Sequence, residues 1–122
     1  KYFLDKNKKI KGINSLVLGV TFKENCPDIR NSKAFDIIKI LKKNKFNIDI
    51  YDPYASRNEV KNRYDVTLID YNKIKKKHYD FIIITVGHNQ FVNLNIEDYI
   101  VDKDSLIYDL KGIFNNNNYM RL

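Results

Sequence analysis

A charged loop near the start of the chain is the stretch of sequence best suited to chemistry. Lys23, Asp28 and Arg30 lie within the polar residues 21–31, directly after a buried apolar run. The Lys23 ammonium would act as a point charge for a phosphate, and the planar Arg30 guanidinium would bind phosphate oxygens through two N–H groups. Asp28 would orient Arg30 through a salt bridge. On the residues alone, a structural Asp28–Arg30 pair beside a surface lysine is an equally good interpretation.

Alternating strands and helices are predicted to hold this loop. Buried strands are predicted at residues 15–20, 47–51, 81–86 and 105–109, with a short one at 66–69. A helix is predicted where apolar residues recur at helical spacing, and Ser32 or Asn31 would cap its start: Ala34, Ile37, Ile38 and Leu41. Further helical stretches are predicted at 58–64, 71–77 and 96–100. This order predicts an α/β, Rossmann-like, three-layer domain with a mostly parallel sheet.

The carboxyl ends of the predicted strands mark the place where a ligand would bind. The first strand ends at Gly19, which stands alone without the G-x-G-x-x-G fingerprint, so the chain is not expected to hold NAD in the usual way. Asp52 occupies the position of a ribose-binding acid but is expected to shape an Asp-Pro turn instead. His88 either contacts a nucleotide or satisfies a loop carbonyl, whereas His78 is interpreted as a surface residue at a helix end.

Composition restricts the classes of function. The net charge is +7, yet the lysines occur in short runs typical of solvated helix faces, and no aromatic–basic interleaving indicates nucleic-acid binding. The longest apolar run, residues 81–86, is far shorter than the roughly 20 residues that span a bilayer. The single cysteine, Cys26, excludes an internal disulfide and fits a reducing cytoplasm. No metal site is expected.

The segment from Val17 to Ser32 reads VLGVTFKENCPDIRNS. It resembles the start of the C-terminal domain of the UDP-glucose/GDP-mannose dehydrogenase family, whose pattern is G-x-x-(Y/F)-K-x-x-(T/C)-x-D-x-R-x-S. The N-C-P-D-I-R-N-S version is most similar to the branch that oxidises UDP-N-acetylhexosamines, the Vi-polysaccharide type. Supporting similarities are found at residues 50–53, at His88 and Phe91, and at residues 108–113.

The resemblance implies a three-part, NAD-dependent enzyme that oxidises C6 of a UDP-sugar in two steps. Phe22 and Lys23 match the pair that contacts the UDP-sugar, and Arg30 matches the arginine that reaches NAD on another domain. Lys111 lies near a basic position at the sugar end, where some relatives have arginine. The family's catalytic cysteine lies upstream, in a part of the enzyme that this chain lacks, together with the NAD-binding domain. Cys26 occupies a position that is often threonine, so no catalytic residue is expected here.

The resemblance also predicts how the chain is divided. Residues 1–11 are interpreted as the tail of an upstream linker or central helix, and residues 12–122 as the UDP-sugar-binding domain. The first residue, Lys1, favours a fragment of a longer cytoplasmic enzyme, inactive alone, whose full-length form is a homodimer or higher oligomer. Two alternatives remain: a freestanding nucleotide-binding or regulatory module, and a basic adaptor for nucleic acid, which no motif supports.

Overall fold

Four parallel strands form the centre of the molecule. The computed structural model describes residues 12–114, 116 and 118–120, so the predicted upstream tail, residues 1–11, lies outside the described residues. The strands are β1 (Asn14–Leu18), β2 (Asn47–Tyr51), β3 (Phe81–Ile84) and β4 (Leu106–Asp109). Their order in the sheet is β2-β1-β3-β4 and every pairing is parallel. The predicted Rossmann-like α/β fold is confirmed.

The connections between the strands are helical. They contain α1 (Ala34–Lys43), α2 (Arg57–Tyr64), α3 (Tyr71–Ile74), α4 (Asn89–Val92) and a 3₁₀ helix (Ile96–Tyr99). In α1 the predicted stripe is confirmed, with Ala34, Ile38 and Leu41 buried and Ile37 packed at their edge. The predicted cap is wrong, because the N-cap residue of α1 is Lys33, which makes no side-chain cap bond. Ser32 lies one residue earlier, and its Oγ accepts a hydrogen bond from the Ala34 N–H at 3.3 Å. None of the described helices has the length and apolar character needed to cross a bilayer.

Successive side chains of the inner strands point to opposite faces of the sheet and pack into two separate hydrophobic cores. Val17 and Ile83 pack with α1 and α2 on one face, whereas Leu16, Ile82 and Ile84 pack with α3, α4 and the 3₁₀ helix on the other. The two inner strands are therefore covered on both faces, which explains why their sequences read as continuous apolar runs. Helices on both sides of one sheet give the predicted three layers.

The short strand predicted at residues 66–69 is wrong. This segment makes one ladder-like bond, from Ile69 N–H to Ile50 O at 2.9 Å, but it is extended chain without a strand pairing. Val66 and Leu68 alternate because both enter the core beneath α1 and α2. The helix predicted to reach residue 77 ends at Ile74, since the following lysines offer no apolar side chain to pack against the sheet.

The reversal of strand order creates a crevice. The chain moves from β1 to β2 on one side and then returns to β3 on the other, so the carboxyl ends of β1 and β3 diverge into loops. Gly19 permits their close approach, because its φ of +101° is rare for L residues and a Cβ there would lie 2.7 Å from Val86 Cβ. Thr85 ties the two ends, because its N–H donates to the Leu18 carbonyl at 3.0 Å and its hydroxyl donates to the Gly19 carbonyl.

Candidate functional site

The loop after β1 presents Phe22 and Lys23 to solvent. The Thr21 hydroxyl donates to the Lys23 carbonyl at 2.9 Å, and the Phe22 N–H donates to the Asp28 carbonyl at 2.6 Å. The Phe22 side chain is 56% exposed, although a large aromatic residue is usually buried. The Lys23 ammonium pairs with no described carboxylate. An aromatic ring and an uncommitted cation thus stand side by side at the crevice.

A cleft of about 290 Å³ opens between this loop, the start of α1 and the ends of β3 and β4. Phe22 and Lys111 both line it, together with Thr85, Val86 and Leu110. Apolar walls with a few polar groups at the rim are typical of small-molecule sites. The structure therefore brings Phe22 and Lys111 to one cleft, whereas Lys23 and Arg30 do not line it.

A buried carboxylate fixes the loop that carries Lys111. Asp109, at the end of β4, is fully buried, and its two oxygens accept the N–H groups of Ile113 and Phe114 at 3.1 and 2.9 Å. Gly87 lets this loop approach β3, because a Cβ there would lie 2.9 Å from Ile113 Cγ2. The only local signal for this role in the sequence is an acid at the end of an apolar strand.

Asp28 and Arg30 form the predicted salt bridge. Arg30 Nε and Nη2 donate to the two carboxylate oxygens at 3.0 and 2.9 Å. The Arg30 side chain is nevertheless 67% exposed. Two of the five guanidinium N–H groups are engaged, so three stay available to a second anion. The structural interpretation of the pair is confirmed. The binding interpretation stays open, because Asp28 orients the guanidinium group and still leaves some of its N–H groups for a ligand.

The Asp28–Arg30 pair should be visible in an acid titration. Hydrogen bonds from the Arg30 side chain and backbone lower the pKa of Asp28 from 3.8 to about 2. Any stabilisation from the pair is present above the unfolded-state pKa and is lost as the pH falls through about 2. In Arg30→Gln we expect the pKa of Asp28 to rise toward 3.8, measured by carbon-detected NMR of the carboxyl group. The control Arg57→Gln removes the partner of Asp70 instead; an unchanged Asp28 titration in Arg30→Gln would contradict the assignment.

His88 lies beneath the loop and is fully buried. Its Nδ1 accepts the Asn25 N–H at 2.9 Å, and its Nε2 lies 2.9 Å from Asp52 Oδ2 and 3.1 Å from Thr21 Oγ1. The loop group that His88 satisfies is therefore an N–H and not the predicted carbonyl. Sequence reasoning missed the partnership with Asp52, because the two residues are 36 positions apart.

Asp52 shapes the Asp-Pro turn as predicted. Its Oδ1 accepts the N–H groups of Tyr54 and Ala55 at 2.7 and 3.0 Å, and its Oδ2 accepts that of Val20 at 2.8 Å. Burial opposes the charge of this carboxylate, but the hydrogen bonds from His88, Val20 and Tyr54 outweigh it and lower the pKa of Asp52.

Cys26 and His78 do not line the cleft. Cys26 is partly buried in the loop and makes no hydrogen bond to a described residue. His78 is exposed and lies beyond α3, so its predicted place at a helix end is wrong. Within the described part of the chain, no group of three or more His, Cys, Asp or Glu side chains is arranged to bind a metal ion.

Comparison with known proteins decides the family. Residues 16–116 match the model of the UDP-glucose/GDP-mannose dehydrogenase family, UDP binding domain. The chain belongs to this family. The family domain thus covers all four strands except the first two residues of β1, and it includes Phe22, Lys23, Arg30 and Lys111.

Individual members of the family show the same relationship. The chain is 42% identical, over 93% of its length, to the UDP-N-acetyl-D-glucosamine 6-dehydrogenase of Salmonella typhi. It is 34% identical, over 91% of its length, to the enzyme of the same name from Pseudomonas aeruginosa. It spans about a quarter of the length of these relatives, 27% and 26%.

Solved structures of dehydrogenases share the fold. The UDP-N-acetyl-mannosamine dehydrogenase Cap5O of Staphylococcus aureus superposes with a TM-score of 0.66 at 26% identity, covering 98% of this chain and 28% of that one. The UDP-D-ManNAc dehydrogenase of Pyrococcus horikoshii gives a TM-score of 0.73 at 24% identity, with 98% and 27% covered. In both, the match to this chain takes up less than a third of the solved chain.

Proposed function

We propose that this chain is the UDP-sugar-binding domain of an NAD-dependent UDP-sugar 6-dehydrogenase, with a UDP-N-acetylhexosamine as the substrate. The observation that carries the proposal is the cleft at the strand-order reversal, which Phe22 and Lys111 both line. Phe22 would pack on the nucleotide-sugar, Lys23 would neutralise phosphate charge, and Lys111 would contact the sugar end. The two 6-dehydrogenases from Salmonella typhi and Pseudomonas aeruginosa support the choice of sugar.

The chain does not fit a complete NAD site. The turn between β1 and α1 lacks the glycine fingerprint, and the Asp28–Arg30 pair occupies it instead. NAD, which accepts hydride in this class of reaction, would be held mainly by an N-terminal domain of the same enzyme. Arg30 would contribute its free N–H groups to that cofactor across the cleft. Closure of the two domains would then couple the ligands and exclude water.

The remaining proposals concern the whole protein. It would act in the cytoplasm, in surface polysaccharide synthesis, and would assemble as a homodimer or higher oligomer through a central domain. The mass of the native protein, detected with an antibody raised against this chain, tests the three-part architecture. We expect a band far larger than 14.5 kDa. A band at 14.5 kDa would leave a freestanding nucleotide-binding module as the function.

Lys23→Ala tests the contact with phosphate. Lys23 is exposed and unpaired among the described residues, so the substitution should leave the fold intact. A charge-assisted hydrogen bond to an anion contributes about 1.5–3 kcal/mol, so we expect UDP affinity to fall about tenfold or more. The measurement is a titration of the ¹⁵N-labelled 122-residue chain with UDP, followed by NMR at Phe22, Lys23 and Lys111. In the full-length enzyme the substrate KM should rise correspondingly.

Two controls make this titration specific. Lys43→Ala removes the same charge from the last turn of α1, near the amino end of β2 and away from the carboxyl ends of the strands. This variant should bind UDP like the wild type. Uridine, which has no phosphates, should bind the wild type and Lys23→Ala equally. Wild-type chain that shows no shifts with millimolar UDP would contradict UDP binding, and equal losses in the two lysine variants would contradict the role of Lys23.

A further inference from the structure

A single imidazole ring lies against both ends of the turn that carries Phe22 and Lys23, and it is hydrogen-bonded to the Asn25 end. His88 Nε2 lies 3.1 Å from the Thr21 hydroxyl at one end, and His88 Nδ1 accepts the Asn25 N–H at 2.9 Å at the other. The ring belongs to the loop after β3, far from the turn in sequence, and is completely buried beneath it. The turn is thus fastened to a second strand of the sheet.

The bonding partners fix the tautomer of His88. A backbone N–H can only donate, so Nδ1 must keep its lone pair and the ring proton must be on Nε2. That proton points to Asp52 Oδ2 at 2.9 Å, while the Thr21 hydroxyl donates elsewhere, to the Lys23 carbonyl. Asp52 is itself held by the Val20, Tyr54 and Ala55 N–H groups. The carboxylate therefore orients the ring so that its acceptor faces Asn25.

Asn25 is the point at which the turn is most constrained. Its φ of 58° is left-handed, a conformation that Asn adopts more readily than other non-glycine residues, and the bonds to its backbone and side chain hold it there. Its side-chain Oδ1 accepts the Asn89 N–H at 2.9 Å, next to the ring bond made by its backbone. These two bonds come from the loop after β3 and from the first residue of α4, and the Tyr54 hydroxyl adds a longer one to Asn25 Oδ1 at 3.4 Å, so the segment after β3 largely determines where the turn ends.

We propose that His88, oriented by Asp52, is the positioning residue that presets the Phe22–Lys23 turn for the nucleotide-sugar. The inference rests on the proposed function for the ligand, but the ordering of the turn can be measured without one. Because the turn is fixed before binding, less conformational freedom is lost when Phe22 and Lys23 engage a ligand. An apolar residue packed between Tyr54 and Phe91 would fill the same space but would leave Asn25 without an acceptor.

Two substitutions separate the two ring nitrogens. In His88→Asn the side-chain oxygen can take the place of Nδ1 and accept the Asn25 N–H, while the bond to Asp52 is lost. In His88→Gln the longer amide can take the place of Nε2 and donate to Asp52, while the acceptor for Asn25 is lost. Each variant loses one side of the ring, so a merely structural role predicts similar effects from both. Amide exchange of Asn25, UDP affinity and Tm are measured in the 122-residue chain.

We expect His88→Asn to keep the Asn25 amide protected and to bind UDP within about threefold of the wild type. His88→Gln should exchange Asn25 about tenfold faster and bind UDP about tenfold more weakly at a similar Tm, as the loss of one hydrogen bond implies. The wild-type ring ¹⁵N spectrum should show a bare Nδ1 and a protonated Nε2. Equal Asn25 protection in the two variants, or UDP affinity that follows Tm alone, would overturn the proposal. A third outcome is possible: Asn25 exchanges faster only in the variant without an acceptor for its N–H, and the wild-type chain shows no UDP binding. The proposed function then fails, and the positioning of the turn by His88 stands.

Discussion

Gly19→Ala should lower the free energy of unfolding by about 3 kcal/mol, from about 1–2 kcal/mol of backbone strain and a similar cost of overpacking. The strain arises because φ is +101° at this position, and the overpacking because the new Cβ would lie 2.7 Å from Val86 Cβ and 3.1 Å from Val86 N. Val86 is 3% exposed at the end of β3, so its backbone has little room to move. Urea unfolding followed by circular dichroism measures the loss.

Gly12→Ala is the matched control for Gly19→Ala. Gly12 has a similar φ of +92°, but an added Cβ would meet no atom of the described residues within 4 Å. It should therefore show only the backbone cost, about 1–2 kcal/mol. The difference between the two variants measures the close contact between the ends of β1 and β3. Equal losses of unfolding free energy in the two variants would mean that Val86 moves aside at no cost. The contact between Gly19 and Val86 would then not fix the crevice.

Asp52→Ala should cost about 4 kcal/mol at neutral pH, because it removes a buried acceptor on which several donors depend. The Val20 N–H and the His88 Nε2–H are buried and lose their acceptor outright, whereas the Tyr54 and Ala55 N–H groups are partly buried and can reach water. The pKa of Asp52 is lowered in the folded chain. Its stabilisation is therefore present above the unfolded-state pKa and is lost as the pH falls through the lower folded value.

The pH dependence of stability separates two effects of Asp52→Ala, the loss of the charged acceptor and the loss of side-chain volume. The stability difference between wild type and Asp52→Ala should shrink once the pH falls below the usual aspartate value of 3.8, because the unfolded wild-type chain then binds a proton that the folded carboxylate does not. Asp70→Ala serves as the control, since it removes an exposed carboxylate paired with Arg57 and should cost less than about 1 kcal/mol. A cost for Asp52→Ala that is small, or independent of pH, would contradict the account of this network.

Local patterns in the sequence predicted the parts of the fold whose causes are local. The stripe of α1 is recognisable because its one buried face repeats at helical spacing. The runs of β1 and β3 are recognisable because both faces of these strands are buried, which makes successive residues apolar. The Asp28–Arg30 pair was predicted because two residues of separation bring the charges within reach. The segment 66–69 failed for the opposite reason: its alternation reflects burial without a neighbouring strand to complete the ladder.

The candidate site divides in the same way. The motif around Phe22, Lys23 and Arg30 identified the family, and the family model covers it; the ligands of these residues and of Lys111 stay predictions. Motif and family did not show that Lys111 lines one cleft with Phe22 while Lys23 and Arg30 lie outside it. That arrangement depends on Gly87 and on the Asp109 carboxylate, which set the path of the loop after β4.

The sequence by itself determined the α/β fold, the family and the loop that carries its motif, because each is written in neighbouring residues. Only the tertiary structure decided how that loop is held. The bonds from Asp52 to His88 and from His88 to Asn25 join residues 36 and 63 positions apart. No local period records such pairs, because parallel strands separated by long crossovers meet only when the sheet is complete. The shape of the loop therefore belongs to the folded sheet rather than to the loop's own residues.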